Sequence, residues 1–228
     1  MAAPITVVIP TLNAGDALPG MLHAILPGLT AGLFRELVFS DGGSADSTLE
    51  IADEVGATVI SGPPGRGAQL ARGVQAAAAP WLLVLHADTQ LSGDWCRGLE
   101  AHMAGGWDRA GYFPLRFRAS GPAPALVAGW ANWRSRVLGL PYGDQGLFVS
   151  RRLYDEAGGY PAIPLMEDVA MARRLRGRLR ALDGLAETSA ARYEAEGWTV
   201  RGTKNLGLLA RYLAGADPER LAERYRRR

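Results

Sequence analysis

A chain of 228 residues with 48% hydrophobic and 21% charged residues has a globular balance and is long enough to fold without staples. Its formal net charge of +2, with 25 basic residues spread among 23 acids, excludes a broad nucleic-acid footprint. The lone Cys96 excludes an intramolecular disulfide, and the longest apolar segment, Ala76 to Leu85, is broken by Pro80 and falls short of the roughly 20 residues of a membrane helix.

The chain opens on a β-branched run at 5–9, closed by Pro10. It has neither a basic flank nor a long apolar stretch, so no secretory leader is expected and the cytoplasm is the expected location. Asp16 is placed to cap a helix running to about Leu26. A second strand at 37–40 stops at Asp41-Gly42-Gly43, and 44–55 predicts a helix with cap-type residues at its start. A third strand at 58–60 leads through a Gly/Pro loop to a helix at 67–78 and a fourth strand at 81–85. This alternation predicts an α/β fold, a doubly wound and mainly parallel sheet, with right-handed crossovers.

The second half is less regular. Strands at 110–117 and 146–150 flank a tryptophan-rich helix at 123–138, and further helices are expected near Glu167, Arg201 and Asp217. The loops are too short for linkers, so 1–228 reads as one domain. Its parts are a first half at 1–109, a second at 110–200, and C-terminal helices at 201–228. The tail from Glu219 to Arg228 is locally basic, a solvated helix end or a contact for an anionic surface.

Ligands of doubly wound sheets bind beyond the carboxyl ends of the strands. Those ends carry Pro10-Thr11-Leu12-Asn13, then Asp41-Gly42-Gly43-Ser44-Ala45-Asp46, then Gly65-Arg66-Gly67, then His86-Ala87-Asp88. Each alone reads as a turn or a helix cap; four on one edge point to a cleft, with glycines that let a ligand approach the backbone. His86 and Asp88, two apart on an extended segment, would share a side and converge on a divalent ion or its bound water. A carboxylate suits Mg²⁺ or Mn²⁺, which also take phosphate oxygens. Gly65-Arg66-Gly67 offers backbone N–H groups and a guanidinium to a diphosphate. It is no dinucleotide fingerprint, because it follows the third strand and Leu70 stands where a third glycine belongs. Glu167-Asp168 reads either as a helix cap stabilised by the macrodipole or as a general base beside the cleft.

In order and spacing, Val8-Ile9-Pro10-Thr11-Leu12-Asn13, Asp41 to Asp46, His86-Ala87-Asp88 and Glu167-Asp168 resemble glycosyltransferase family 2 over residues 5 to about 175. Gly65-Arg66-Gly67, Leu85 to Thr89 and Arg192 to Trp198 further resemble a bacterial subgroup often found beside radical-SAM and selenium-related genes. The resemblance implies a GT-A fold and an inverting hexosyl transfer from a nucleotide-diphosphate sugar, UDP being the family's commonest donor nucleotide. It implies that Pro10, Thr11 and Asn13 line the nucleotide pocket, that Asp41 bonds the base, and that Ser44 and Asp46 lie near the nucleotide or support its loop. Arg66 would lie by the diphosphate or base. Asp88 matches the last aspartate of the family's Asp-x-Asp and would ligate the metal. Asp168 would be the base, with Glu167 orienting it or touching the acceptor. His86 replaces the first acid of that motif; with Ala87 it would face the nucleotide or a metal-bound water, and its imidazole favours Mn²⁺ over Mg²⁺.

Asp144, Gln145, Trp133 and Arg192 are the acceptor-side candidates, for a glycan, a lipid-linked molecule or a small molecule. A peripheral contact at the inner membrane face is compatible with such an acceptor. Two other classes compete. A nucleotidyltransferase would carry a glycine-rich basic loop where this chain has Pro10-Thr11-Leu12-Asn13. A nucleotide-sugar-binding module without turnover is suggested by His86 in place of an acid.

Overall fold

β1 (Ile5–Thr11) buries Ile5, Val7, Val8 and Ile9 completely, as a central strand covered on both faces must. The computed structural model describes residues 3–226. After β1 come α1 (Leu18–Thr30), β2 (Phe34–Asp41), α2 (Thr48–Glu54), β3 (Thr58–Ser61), α3 (Arg66–Ala76) and β4 (Trp81–Val84). These four strands lie side by side, all parallel, in the order β3-β2-β1-β4. The first half therefore has the alternation its sequence predicts.

The rest of the chain adds β5 (Gln90–Ser92), α4 (Trp95–Ala104), β6 (Ala110–Tyr112), β7 (Leu115–Phe117), α5 (Pro122–Leu138) and β8 (Leu147–Ser150). It continues with α6 (Arg151–Glu156), α7 (Glu167–Arg174), β9 (Leu179–Ala181), β10 (Leu185–Thr188), α8 (Ala191–Glu196), α9 (Trp198–Leu213) and α10 (Pro218–Arg226). β8 joins β4 antiparallel and extends the sheet through β6 to β9, which makes seven strands. β5, β10 and β7 form a second, three-stranded sheet.

The single strand expected at 110–117 is two strands in two sheets, because Pro114 has no N–H to continue a ladder. α1 begins at Leu18 after Ala17, with no side-chain cap, so Asp16 does not start it. α2 begins at Thr48 because Ser44 is engaged elsewhere.

Alternation along β1 splits the interior in two. Val8, Val38, Leu82 and Val149 pack against α3 and α7 through Leu70, Val74, Val169 and Met171. Val7, Ile9, Phe39, Leu83 and Phe148 pack against α1 and α4 through Met21, Ile25, Trp95 and Leu99. A small third cluster of Leu115, Phe117, Ala128, Ala131 and Ala190 seats α5 on the second sheet. No helix among the described residues is long and apolar enough to cross a membrane. Of the basic tail, Arg227 and Arg228 lie outside the described residues.

Candidate nucleotide-sugar site

The loops after β1 and β2 are stitched together by Asp41. Its Oδ1 accepts from Thr11 Oγ1 at 2.9 Å and Ser44 Oγ at 2.6 Å, and its Oδ2 from the N–H groups of Gly43 and Ser44 at 2.7 and 2.8 Å. Burial works to raise this carboxyl, but the bonds from Ser44, Gly43 and Thr11 outweigh it and hold it below its ordinary value. A carboxylate has about four acceptor positions, so Asp41 is spent on the loops, and a base contact would have to displace one of these donors.

Asn13, at φ 50°, donates its N–H to Ser44 Oγ and accepts from Ala45 N–H, both at 2.9 Å. Asp46 accepts from Gly15 N–H at 2.9 Å and from Thr48 Oγ1 at 2.5 Å. Pro10, near the end of β1, is half-buried. Gln69 of α3 was not among the expected site residues. Its buried Nε2 donates to Thr11 O at 2.7 Å and Ser40 O at 3.0 Å, tying the ends of β1 and β2 to the helix. An amide on the otherwise buried side of α3 is the signal that marks it.

Arg66 is the first residue of α3. A Cβ on Gly67 would collide with the carbonyls of Pro161 and Ile163, and Gly65 sits at φ 145°. The two glycines thus press the start of α3 against the segment leading into α7, leaving Arg66 Nε 3.7 Å from Glu167 Oε1.

β4 ends at Val84, and 86–89 is a turn in which Thr89 N–H donates to His86 O at 3.1 Å. The extended geometry expected for His86 and Asp88 is therefore absent. The His86 imidazole lies on Gly143, where it occupies the space a Cβ would need. Burial, joined by the charges of Arg66 and Arg192, lowers its pKa to about 3, so the ring is neutral. Ala87 is half-buried beside the core under β1.

The facing wall is a short 3₁₀ turn at Gly143–Gln145. Gly143 N–H donates to Asp168 Oδ2 at 2.8 Å. Asp144 Oδ1 is buried with no hydrogen-bond partner. Burial, joined by the Asp168 and Asp88 charges and opposed by Arg134 and Arg66, raises Asp144 to about 6. Gln145 does not suit the acceptor role expected of it: it is fully buried and used at both ends. Its Oε1 accepts from Ser135 Oγ at 2.6 Å and its Nε2 donates to Phe113 O at 3.2 Å. Arg134, buried in α5, lies over the Tyr142 ring at 3.4 Å from its centre.

At the start of α7, Met166 takes the left-handed φ of 66°. Glu167 is 1% exposed and its Oε1 accepts no hydrogen bond. Burial and the Asp168 charge push it well above the ordinary carboxylate range. Arg192 is exposed on α8. Trp133 differs from expectation: it is 47% exposed and stacked on Trp130, on the side of α5 opposite the buried Ala128, Ala131 and Ser135.

The cluster itself fits a divalent cation. The partnerless Asp144 Oδ1, and the Asp88 and Asp168 charges that act on Asp144, would both be relieved by positive charge. Among the described residues no group of three or more His, Cys, Asp or Glu forms a protein cage. That suits an ion which takes one or two carboxylates and fills its remaining positions with phosphate oxygens and water.

The model of glycosyl transferase family 2 matches residues 6–110. A PGL/p-HBAD biosynthesis glycosyltransferase of Mycobacterium tuberculosis is 42% identical over 99 residues, which cover 40% of this chain and 38% of that protein. A mannosyltransferase from Pyrobaculum calidifontis, solved with GDP-Man and Mn²⁺, superposes with a TM-score of 0.69 at 16% identity, covering 94% of this chain and 65% of that one. The S. aureus TarS 1-349 structure with UDP-GlcNAc gives 0.62 at 15% identity, covering 82% and 58%. This is a GT-A fold. The family match is confined to the first part of the chain, residues 6–110. The chain spans little more than a third of the curated relatives it matches, 36% to 38% of their lengths, and 41% of the longer TarS chain.

Proposed function

We propose that this GT-A protein transfers a sugar, with inversion, from a nucleotide-diphosphate sugar to an acceptor hydroxyl. The observation that carries the reading is the acidic cluster of Asp88, Asp144 and Asp168 facing Arg66 at the carboxyl edge of β1 to β4. UDP is the favoured nucleotide because of the family-2 resemblance, and a UDP-sugar stands in one structural neighbour against a GDP-sugar in another. The subgroup resemblance at 65–67, 85–89 and 192–198 belongs to the same reading.

In this reading Thr11, Asn13, Ser44 and Asp46 shape the nucleotide loops, and Arg66 faces the diphosphate. Asp88, with help from Asp144, would hold a divalent ion, Mn²⁺ or Mg²⁺, whose chemistry there would be to supply positive charge to the leaving diphosphate. His86, neutral at any physiological pH, packs the turn that presents Asp88. Asp168 takes the proton of the incoming hydroxyl, and the Gly143 N–H fixes the rotamer of its carboxylate. One base and no nucleophile on the sugar side gives inversion. The protein works in the cytoplasm, and a peripheral contact with the anionic inner membrane face is part of the reading. It is supported by the exposed stripe Leu126, Trp130, Trp133 and Val137 on α5, with Arg136 beside it.

The test is thermal stability against UDP, GDP, dTDP, CDP and ADP, each with and without Mn²⁺. A ligand of the native state at a hundredfold excess over Kd adds about 2.7 kcal/mol. A metal-dependent shift with one nucleotide, lost in Asp88→Ala, is expected; no shift with any of them sinks the reading. Release of nucleoside diphosphate rather than pyrophosphate separates it from nucleotidyl transfer.

A further inference from the structure

Beside the strand-end cleft, α8, α9 and α10 enclose a cavity of about 600 Å³. Its wall carries Arg192, Arg201, Lys204, Arg211 and Arg224 against a single acid, Glu196. That acid is already committed: it pairs with Arg201 and accepts from Lys204 Nζ at 2.7 Å. Arg201, 9% exposed, also donates to Tyr225 OH at 2.8 Å, which fixes the floor of the cavity. Among the described residues, Arg192, Arg211 and Arg224 have no carboxylate within ion-pair distance. Glu196 answers Arg201 and Lys204, but the remaining guanidinium groups repel one another unless an anion joins them, and guanidinium forks suit phosphate oxygens in particular.

The cavity lies within electrostatic reach of the strand-end cleft. Arg192 belongs to its wall, and its charge reaches His86. Asn205, on the same wall, donates to Tyr193 OH at 3.0 Å, and Tyr193 lies close enough to Asp144 to sense its charge. The size is that of a small-ligand site rather than a docking face for a macromolecule.

We propose that this cavity is a phosphate-group site that holds an anionic acceptor against the donor cleft. The assignment to the acceptor rests on the glycosyltransferase reading; the binding of phosphate groups does not. The shared chemistry is a phosphate or diphosphate, carried by the acceptor or free in solution, and the two are separated by the second arm of the test.

In the first arm, inorganic diphosphate is titrated calorimetrically into the full chain at low salt without metal. Lys204→Gln with Arg211→Gln removes two charge-assisted donors and is expected to weaken binding at least about tenfold. Lys204→Arg with Arg211→Lys keeps the charge and should keep binding, which guards against a folding defect. Asp88→Ala should leave diphosphate binding unchanged. Metal-dependent UDP binding should show the reverse pattern, lost in Asp88→Ala and kept in the double variant, so failure of the donor site and failure of this one are told apart. Diphosphate binding that is absent, or that follows Asp88 instead of Lys204 and Arg211, overturns the site. In the second arm, turnover of phosphorylated and unphosphorylated sugar acceptors is compared. A roughly tenfold fall in kcat/KM for the phosphorylated acceptor alone, in the double variant, assigns the site to the acceptor. Equal effects on both acceptors, or none, overturn that assignment.

Discussion

Arg66 Nε stands 3.7 Å from Glu167 Oε1, and this pair joins the start of α3 to the start of α7. The arginine side chain is 45% exposed while the Glu167 side chain is almost wholly buried. It can therefore face a diphosphate on one side and hold a buried acid on the other.

Removing Arg66 leaves that acid without its counter-charge. Arg66→Ala is expected to cost about 1 kcal/mol at pH 8, a modest figure because the arginine side is screened by solvent. Glu167 is already raised by burial and by Asp168, so its contribution to stability is complete at low pH and is lost as pH rises through its folded value. Without Arg66 that value climbs further, and the deficit against wild type should grow from pH 5 to pH 8 in denaturant unfolding. A deficit equal at both pH values would mean that the pair is not coupled.

Asp144 carries the same logic into the cluster. Its carboxyl, at 3.8 when unfolded and about 6 when folded, contributes stability that is full below about pH 4 and gone above about pH 6. Asp144→Asn removes the buried charge, so at pH 8 without metal the variant should be more stable by on the order of 1–3 kcal/mol. Its unfolding free energy should also lose the decline between pH 4 and pH 6. The same substitution should weaken metal-dependent nucleotide binding, the usual trade between stability and function. A variant less stable than wild type at pH 8 would show that the Asp144 charge is already compensated.

Asp168 can be a base, a helix-end carboxylate, or both. Asp168→Asn keeps an oxygen for the Gly143 N–H, so folding should change by less than about 1 kcal/mol. Turnover should fall about 10²-fold or more if the residue takes the proton. Chemical denaturation and kcat on one preparation distinguish the roles, since a cap alone would shift stability and leave kcat intact.

The parallel half of the sheet was legible because each of β1 to β4 has a β-branched or apolar run followed by a turn signal. β5, β9 and β10 were not, since Gln90–Ser92, Leu179–Ala181 and Leu185–Thr188 contain no β-branched run. At the site, sequence order put Arg66 and Asp88 at strand ends and read Glu167 and Asp168 as a helix start beside the cleft, yet it could not show which acids are sealed. Asp144 sits in a turn whose composition looks solvent-facing, yet its Oδ1 is sealed without a partner. Gln145 and Trp133 moved in the opposite direction for a related reason: a loop residue is drawn in by Ser135 and Phe113, while a tryptophan is left outside on a helix whose small residues face the core.

The outer face of α5 carries an apolar stripe. Leu126, Trp130, Trp133 and Val137 recur at helical spacing with exposures of 76%, 44%, 47% and 59%, and the two indoles stack with centres 5.0 Å apart. Aromatic rings with an apolar body and a polar N–H favour the headgroup level of a bilayer, and nearby arginines favour anionic lipid. Trp130→Ser with Trp133→Ser should lower co-sedimentation with anionic phosphatidylglycerol vesicles at least about fivefold, and binding to neutral phosphatidylcholine vesicles should be weak in both proteins. Folding should be nearly unchanged, because neither ring enters the core. Equal sedimentation of variant and wild type would remove the membrane contact from the reading. The stripe would then be tested as a self-association face by measuring mass in solution for both proteins.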